Sequence, residues 1–108
     1  MNNNSTLIES LQHCMTTCEY CADACLDEEN LSSLVACIKL DRDCADICAT
    51  TLSLFIRDSD YTRPAFELCE QICAECASEC EKHDHDHCRK CARACRECEK
   101  QCHKYLNS

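Results

Sequence analysis

Apolar side chains recur along this chain at steps of three and four, and most of the recurring residues are cysteines. In the stretch CEQICAECASEC, residues 69–80, four cysteines stand at steps of four, three and four with no glycine or proline between them. That stepping is the period of one helical face. Four segments carry it, separated by short polar breaks, and the pattern predicts helices over about residues 5–28, 30–57, 62–82 and 85–105. Ser5 or Thr6, Asn30, Thr62, and Asp84 or Asp86 stand where helix N-caps are expected, and Pro64 suits a first turn. At about 1.5 Å per residue each helix spans roughly 30–40 Å. Short connections favour antiparallel neighbours. The expected architecture is therefore all-α: one antiparallel up-down-up-down four-helix bundle formed by residues 1–108.

The seams of this bundle can be written out. The first helix offers Leu7, Leu11, Cys14, Cys18, Cys21 and Cys25. The third offers Phe66, Cys69, Cys73, Cys76 and Cys80, and the fourth Cys88, Cys91, Cys95, Cys98 and Cys102. The second is poorer: Leu34, Cys37, then Leu40 or Asp41, then Cys44 and Cys48. All the cysteines thus point at the bundle axis. The two ends differ. One gathers Leu7, Leu11, Leu52, Phe55, Ile56, Phe66 and Leu106, an apolar plug. The other carries Cys25, Cys80 and Cys88 beside the loop histidines His83, His85 and His87 of HDHDH, a polar mouth.

Composition sharpens this picture. Leu, Ile, Val and Phe supply only 18 of 108 residues, about 17%, and the net charge is −9. Those values alone point to disorder. The missing apolar mass is the 16 cysteines, since a free cysteine packs as a small hydrophobe. The absence of glycine and the single proline argue against a loop-rich disulfide scaffold. The N-terminal MNNNSTLIESLQHC shows no basic region followed by an apolar core, and no run approaches the roughly 20 apolar residues of a membrane span. A cytoplasmic, reduced location is expected, with no membrane partner. There, many cysteines point to metal. The acidic balance argues against nucleic acid.

Three uses of such thiols compete. Disulfides within a helix would distort it. Residues at i and i+4 hold their Cβ atoms about 5–6 Å apart, whereas a disulfide needs about 3.5–4.5 Å. Two metal–thiolate bonds of about 2.3 Å in line span about 4.5 Å, close to what a Cys-x3-Cys pair offers. Linear two-thiolate coordination suits Cu(I), a soft ion that selects thiolates. Seven such pairs occur: 14/18, 21/25, 44/48, 69/73, 76/80, 91/95 and 98/102. Zinc is the rival. It takes four ligands from Cys-x2-Cys knuckles, and that spacing occurs at 18/21, 73/76, 88/91 and 95/98, inside continuous helical periodicity rather than in turns. An iron–sulfur run and a strand-borne redox motif are both missing from the sequence. No nucleophile–base pairing suggests an enzyme.

The motifs CMTTCEYCADAC, CIKLDRDCADIC, CEQICAECASEC and KHDHDHCRKCARAC resemble those of the cytosolic bacterial copper storage proteins, four-helix bundles lined with cysteine. The resemblance runs from about residue 7 to 105. It implies bulk Cu(I) storage, a homotetramer, and loading through a mouth that carries histidines. The ligands it implies are Cys14, Cys18, Cys21, Cys25, Cys37, Cys44, Cys48, Cys69, Cys73, Cys76, Cys80, Cys88, Cys91, Cys95, Cys98 and Cys102, with His83 and His87 at the mouth and His85 between them. The partners it implies are copper ions, the other copies of the chain in the homotetramer, and the proteins that donate and accept copper. The alternative function is a zinc or broad soft-metal buffer.

Other residues have plainer expectations. Asp41 is either a surface carboxylate with Leu40 facing in, or a group on the metal path, because a buried unpaired carboxylate is costly. His13 and His103 fall off the stripe and should be exposed, and Met15 should pack. The acidic DEEN, residues 27–30, reads as a solvated helix end, with some long-range attraction for cations. Tyr20, Tyr61 and Tyr105 carry no chemistry. Simple counting bounds the load: isolated two-thiolate sites give about 8 Cu(I), and full bridging approaches about 16.

Overall fold

The structure, a computed structural model, describes residues 3–108. Four helices follow one another: α1 (Asn3–Cys25), α2 (Val35–Ile56), α3 (Thr62–Cys80) and α4 (Asp86–Leu106), with a single 3₁₀ turn at Leu31–Leu34 leading into α2. Each packs on its two neighbours around the ring, α1 on α2, α2 on α3, α3 on α4 and α4 on α1. The result is an elongated antiparallel four-helix bundle of 44 × 20 × 18 Å. None of the described helices is long and apolar enough to cross a membrane.

The core is built as the 3/4 stepping requires. All sixteen cysteines are buried, joined by Leu7, Leu11, Leu34, Phe66 and the small residues Ala45, Ala77 and Ala92. Alanine at these places lets the helices approach closely, so the bundle interior is narrow and sulfur-lined. The α1–α2 and α3–α4 connections lie at one end. At the other, Phe66 stacks on Tyr105 with centroids 4.0 Å apart, and Phe55 meets both edge-on at 5.8 Å. This aromatic set closes the tube. It differs from the expected plug in two members. Ile56, the last helical residue of α2, is 65% exposed. Tyr105 enters instead, because its ring lies over Phe66 with the body apolar and the hydroxyl free to reach outward.

Helix ends depart from the predicted bounds where side chains found other partners. α1 starts at Asn3, so Ser5 and Thr6 lie inside it, and it stops at Cys25. Leu26, Asp27 and Glu28 follow as turns bonded back to Asp23, Ala24 and Cys25. Asn30 precedes the 3₁₀ turn and makes no capping bond of the usual kind; its side-chain amide donates instead to Ser33 Oγ at 2.9 Å. Thr62 is the first residue of α3, and its hydroxyl donates to the carbonyls of Ser59 and Leu54. His85, rather than Asp84 or Asp86, occupies the N-cap position of α4. The end of α2 is a tight left-handed turn: Asp58 has φ 54°, while Ser59 N–H donates to Leu54 O and Asp58 N–H to Phe55 O. That is the helix-ending pattern usually completed by glycine, and this chain contains none.

Candidate metal centre

The four helices deliver sulfur to the axis in overlapping groups. Deep in the bundle, Cys48 Sγ lies 3.9 Å from Cys69 and from Cys98, and Cys44 Sγ lies 3.7 Å from Cys73. Cys14 links onward to Cys44 at 3.7 Å and to Cys95 at 3.8 Å. Cys18 then stands 3.6 Å from both Cys95 and Cys91. Nearer the mouth, Cys37 and Cys80 are 3.5 Å apart. Along single helices the i,i+4 pairs 21/25, 69/73 and 91/95 hold their sulfurs 3.9–4.0 Å apart. These gaps are far beyond the roughly 2.05 Å of a disulfide. They are only slightly short of the about 4.5 Å that two thiolates in line on one soft ion would span. Four-thiol groups such as Cys14, Cys44, Cys48 and Cys73 bring one sulfur each to within 4.8 Å of all the others. Because Cys14, Cys18, Cys44, Cys48, Cys73 and Cys95 each belong to more than one such group, the sites are not separate: neighbours share walls.

Asp41 lies inside this array. It is fully buried, and Leu40 is only partly so. The expectation of a surface carboxylate with Leu40 inside is thus corrected: the register 37, 41, 44, 48 continues through the acid. The thiols of Cys91, Cys76 and Cys80 donate to Oδ1 at 3.1, 3.2 and 3.7 Å, and that of Cys37 to Oδ2 at 3.9 Å. Those bonds offset the cost of burying the group. Burial is the chief cause that pushes its carboxyl up to about 9, and Cys91 and Cys37 add to it whenever they lose a proton. Burial acts on the thiols in the same sense. Cys25 is pushed up to about 12 and Cys88 is raised as well, in both cases chiefly by burial. Burial thus favours the neutral form of Cys25 and Cys88, whereas hydrogen bonds from Cys21 and Cys80 lower Cys37.

At the mouth the three histidines have different surroundings. His87 Nδ1 faces three sulfurs: Cys21 at 3.5 Å, Cys88 at 3.6 Å and Cys25 at 3.9 Å. These four residues form one of the groups able to hold an ion. Its other ring nitrogen, Nε2, lies 2.9 Å from Glu28 Oε2. His85 stacks on His87, the rings nearly parallel with centroids 5.2 Å apart. It reaches Asn30 Oδ1 with Nε2 at 3.2 Å and Glu28 with Nδ1 at 3.4 Å. His83 is turned to Glu79, 3.0 Å from Nε2 to Oε2. So the structure brings His87 to the thiols, sets His85 behind it, and gives His83 a carboxylate partner. Glu28 is the residue that sequence reasoning passed over as part of a solvated helix end. It stands 59 positions from His87, and no spacing rule connects the two. His13 and His103 are exposed, the latter 2.8 Å from Glu70, and Met15 packs against the core.

The arrangement matches known proteins. The family model described as "Csp: Copper storage protein" covers residues 1–107. The chain belongs to the copper storage protein family. Among individual relatives, the uncharacterized cysteine-rich protein YhjQ of Bacillus subtilis is 46% identical over 82 residues, 76% of each chain. The Cu(I)-bound copper storage protein BsCsp3 of Bacillus subtilis superposes with TM-score 0.90 at 43% identity, covering 95% of this chain and 97% of that one. A cytosolic copper storage protein from Streptomyces lividans, with five coppers, gives TM-score 0.94 at 40% identity over 98% of this chain and 93% of the other. The family resemblance carried by the cysteine motifs is therefore correct, and so is the four-helix fold.

Proposed function

We propose that this chain stores many Cu(I) ions in the cytosol, holding them on the sixteen cysteine thiolates inside the bundle and admitting them at the histidine-bearing end. The observation that carries the proposal is a connected run of nine cysteines with sulfurs 3.6–4.0 Å apart, from Cys98 and Cys69 to Cys18 and Cys91, continued toward the mouth through Asp41 to the Cys37–Cys80 pair and by the Cys21–Cys25 pair under His87. A single catalytic or structural metal needs three or four ligands; an axis of shared thiols suits many soft ions. The action is coordination rather than catalysis. Each Cu(I) displaces thiol protons, so loading releases protons and weakens as pH falls. The ligand set we propose is the sixteen cysteines, with His87 at the innermost mouth position, His85 and His83 outside it, and Asp41 on the wall. The whole four-helix unit acts as one store, and a homotetramer is the assembly expected from the family.

An anaerobic Cu(I) titration of fully reduced protein against a coloured chelator tests this directly. The expected outcome is on the order of 10 or more Cu(I) retained per chain before the chelator colours. Retention of one or two would remove the storage function. A parallel Zn²⁺ titration, where four thiolates per ion set a limit of about 4, separates copper storage from general soft-metal buffering, and sedimentation of the loaded protein reads the assembly.

A further inference from the structure

We propose that Glu28 is a positioning residue for copper uptake: it fixes His87 in the tautomer whose Nδ1 lone pair faces the Cys21–Cys25–Cys88 thiols. An ionised carboxylate only accepts hydrogen bonds. With Glu28 Oε2 at 2.9 Å, His87 Nε2 must carry the proton. A neutral imidazole has one N–H and one lone pair, so Nδ1 is left bare, 3.5–3.9 Å from three sulfurs. The ring is also held in place. His85 stacks on it at 5.2 Å, and its own ring is held by donation from Nε2 to Asn30 Oδ1 at 3.2 Å, with Nδ1 3.4 Å from the same Glu28 oxygen but, in the neutral ring, carrying no proton to share with it. The α1–α2 connection thus sets the orientation of a ligand that α4 carries. A carboxylate behind a ligating histidine also raises its basicity, an arrangement whose loss typically costs 10–100-fold in metal binding.

The inference rests on the storage function proposed above, yet it has a readout that needs no copper. In ¹⁵N-histidine NMR of reduced, metal-free protein near pH 8, His87 is expected as the Nε2–H tautomer with an Nε2 proton protected from solvent exchange. Glu28→Ala should lose that protection, and Glu28→Gln should keep it, because the amide oxygen accepts the same bond. In stopped-flow loading from a weak Cu(I)–chelator complex, Glu28→Ala is expected to slow the first equivalents about tenfold. Final capacity should be unchanged, and Glu28→Gln should recover most of the rate. An Nδ1–H tautomer in the wild type, wild-type loading by Glu28→Ala, or no recovery in Glu28→Gln would each overturn the assignment. Wild-type protein that shows the expected tautomer but takes up no copper would instead overturn the storage function.

Discussion

A carboxyl group surrounded by thiols is an unusual thing to bury, and Asp41 shows how the molecule accommodates it. Four thiols donate to it, and burial raises its affinity for a proton. The raised pKa has a stability consequence with a definite sign. In the unfolded chain the group titrates near 4; in the folded chain it is pushed up to about 9. The folded state therefore binds this proton more tightly. The stabilisation is fully present below about pH 4 and is lost as pH rises toward 9. Between pH 5 and 8, where free thiols and unfolded cysteines are still protonated, Asp41 should make the metal-free protein less stable by up to about 1.4 kcal/mol per pH unit. The check is a series of thermal melts of reduced apo-protein across that range, with Asp41→Asn alongside. The asparagine variant should show a flatter profile; parallel slopes would mean the carboxyl is not titrating in this window. The residue also marks where reading the chain reached its limit. The step from Cys37 to 41, 44 and 48 repeats that from Cys69 to 73, 76 and 80, so periodicity favoured Asp41 inside. Its charge favoured Leu40. Periodicity prevailed, because thiol donors from α2, α3 and α4 converge on the acid, and no local pattern announces donors from distant helices.

At the scale of the element, the helix faces were readable and the helix ends were not. Every seam cysteine sits where the 3/4 stepping puts it, since one face of a helix is a purely local property. Ends depend on what the last carbonyls and first amides find. α1 stops at Cys25 because Leu26 to Glu28 fold into turns, which brings Glu28 back over the mouth to His87 and His85. The 3/4 stepping itself runs on from Cys25 to 28, so the face on which Glu28 lies was readable, whereas the turn that carries it was not. The end of α2 offers a clean test of local cost. Asp58 holds the left-handed conformation, φ 54°, that the two closing hydrogen bonds demand. Aspartate tolerates it better than most residues, but Cβ still crowds the backbone there. Asp58→Gly is expected to stabilise the apo-protein by about 0.5–1 kcal/mol, the relief outweighing the extra freedom of the unfolded chain. Denaturant melts measure it. A destabilisation of similar size would mean that the aspartate side chain contributes more at this turn than its backbone strain costs.

At the scale of the whole molecule, the central question is whether the tube exists before the metal does. Counted by its ordinary aliphatic and aromatic residues, the chain resembles a disordered one, with about 17% Leu, Ile, Val and Phe and a net charge of −9. A small metallo-domain with that deficit commonly folds only when its metal binds. Here the deficit is filled by the thiols themselves. All sixteen are buried, burial favours the neutral form of Cys25 and Cys88 at the mouth, and a neutral thiol packs as a small apolar group. Leu7, Leu11, Leu34 and the Phe55–Phe66–Tyr105 set add apolar contacts that no metal has to supply. The ends of the helices are also tied by groups outside the thiol array, as where Arg96 of α4 holds Glu81 at the end of α3. Reduced protein stripped of metal should therefore keep a strongly helical far-UV circular dichroism spectrum and melt cooperatively. Copper should then act as a ligand of an existing fold. Ligand present at about 100 times the dissociation constant adds about 2.7 kcal/mol for one site, and 1 kcal/mol moves the midpoint of a domain this size by roughly 4 °C or more. Even one such site should raise the midpoint by about 10 °C, and further sites should raise it more. Thermal melts at increasing Cu(I), under anaerobic conditions, follow the rise step by step. A metal-free protein with an unstructured spectrum, folding only as copper is added, would overturn the preformed tube and make the thiols the scaffold's condition rather than its lining.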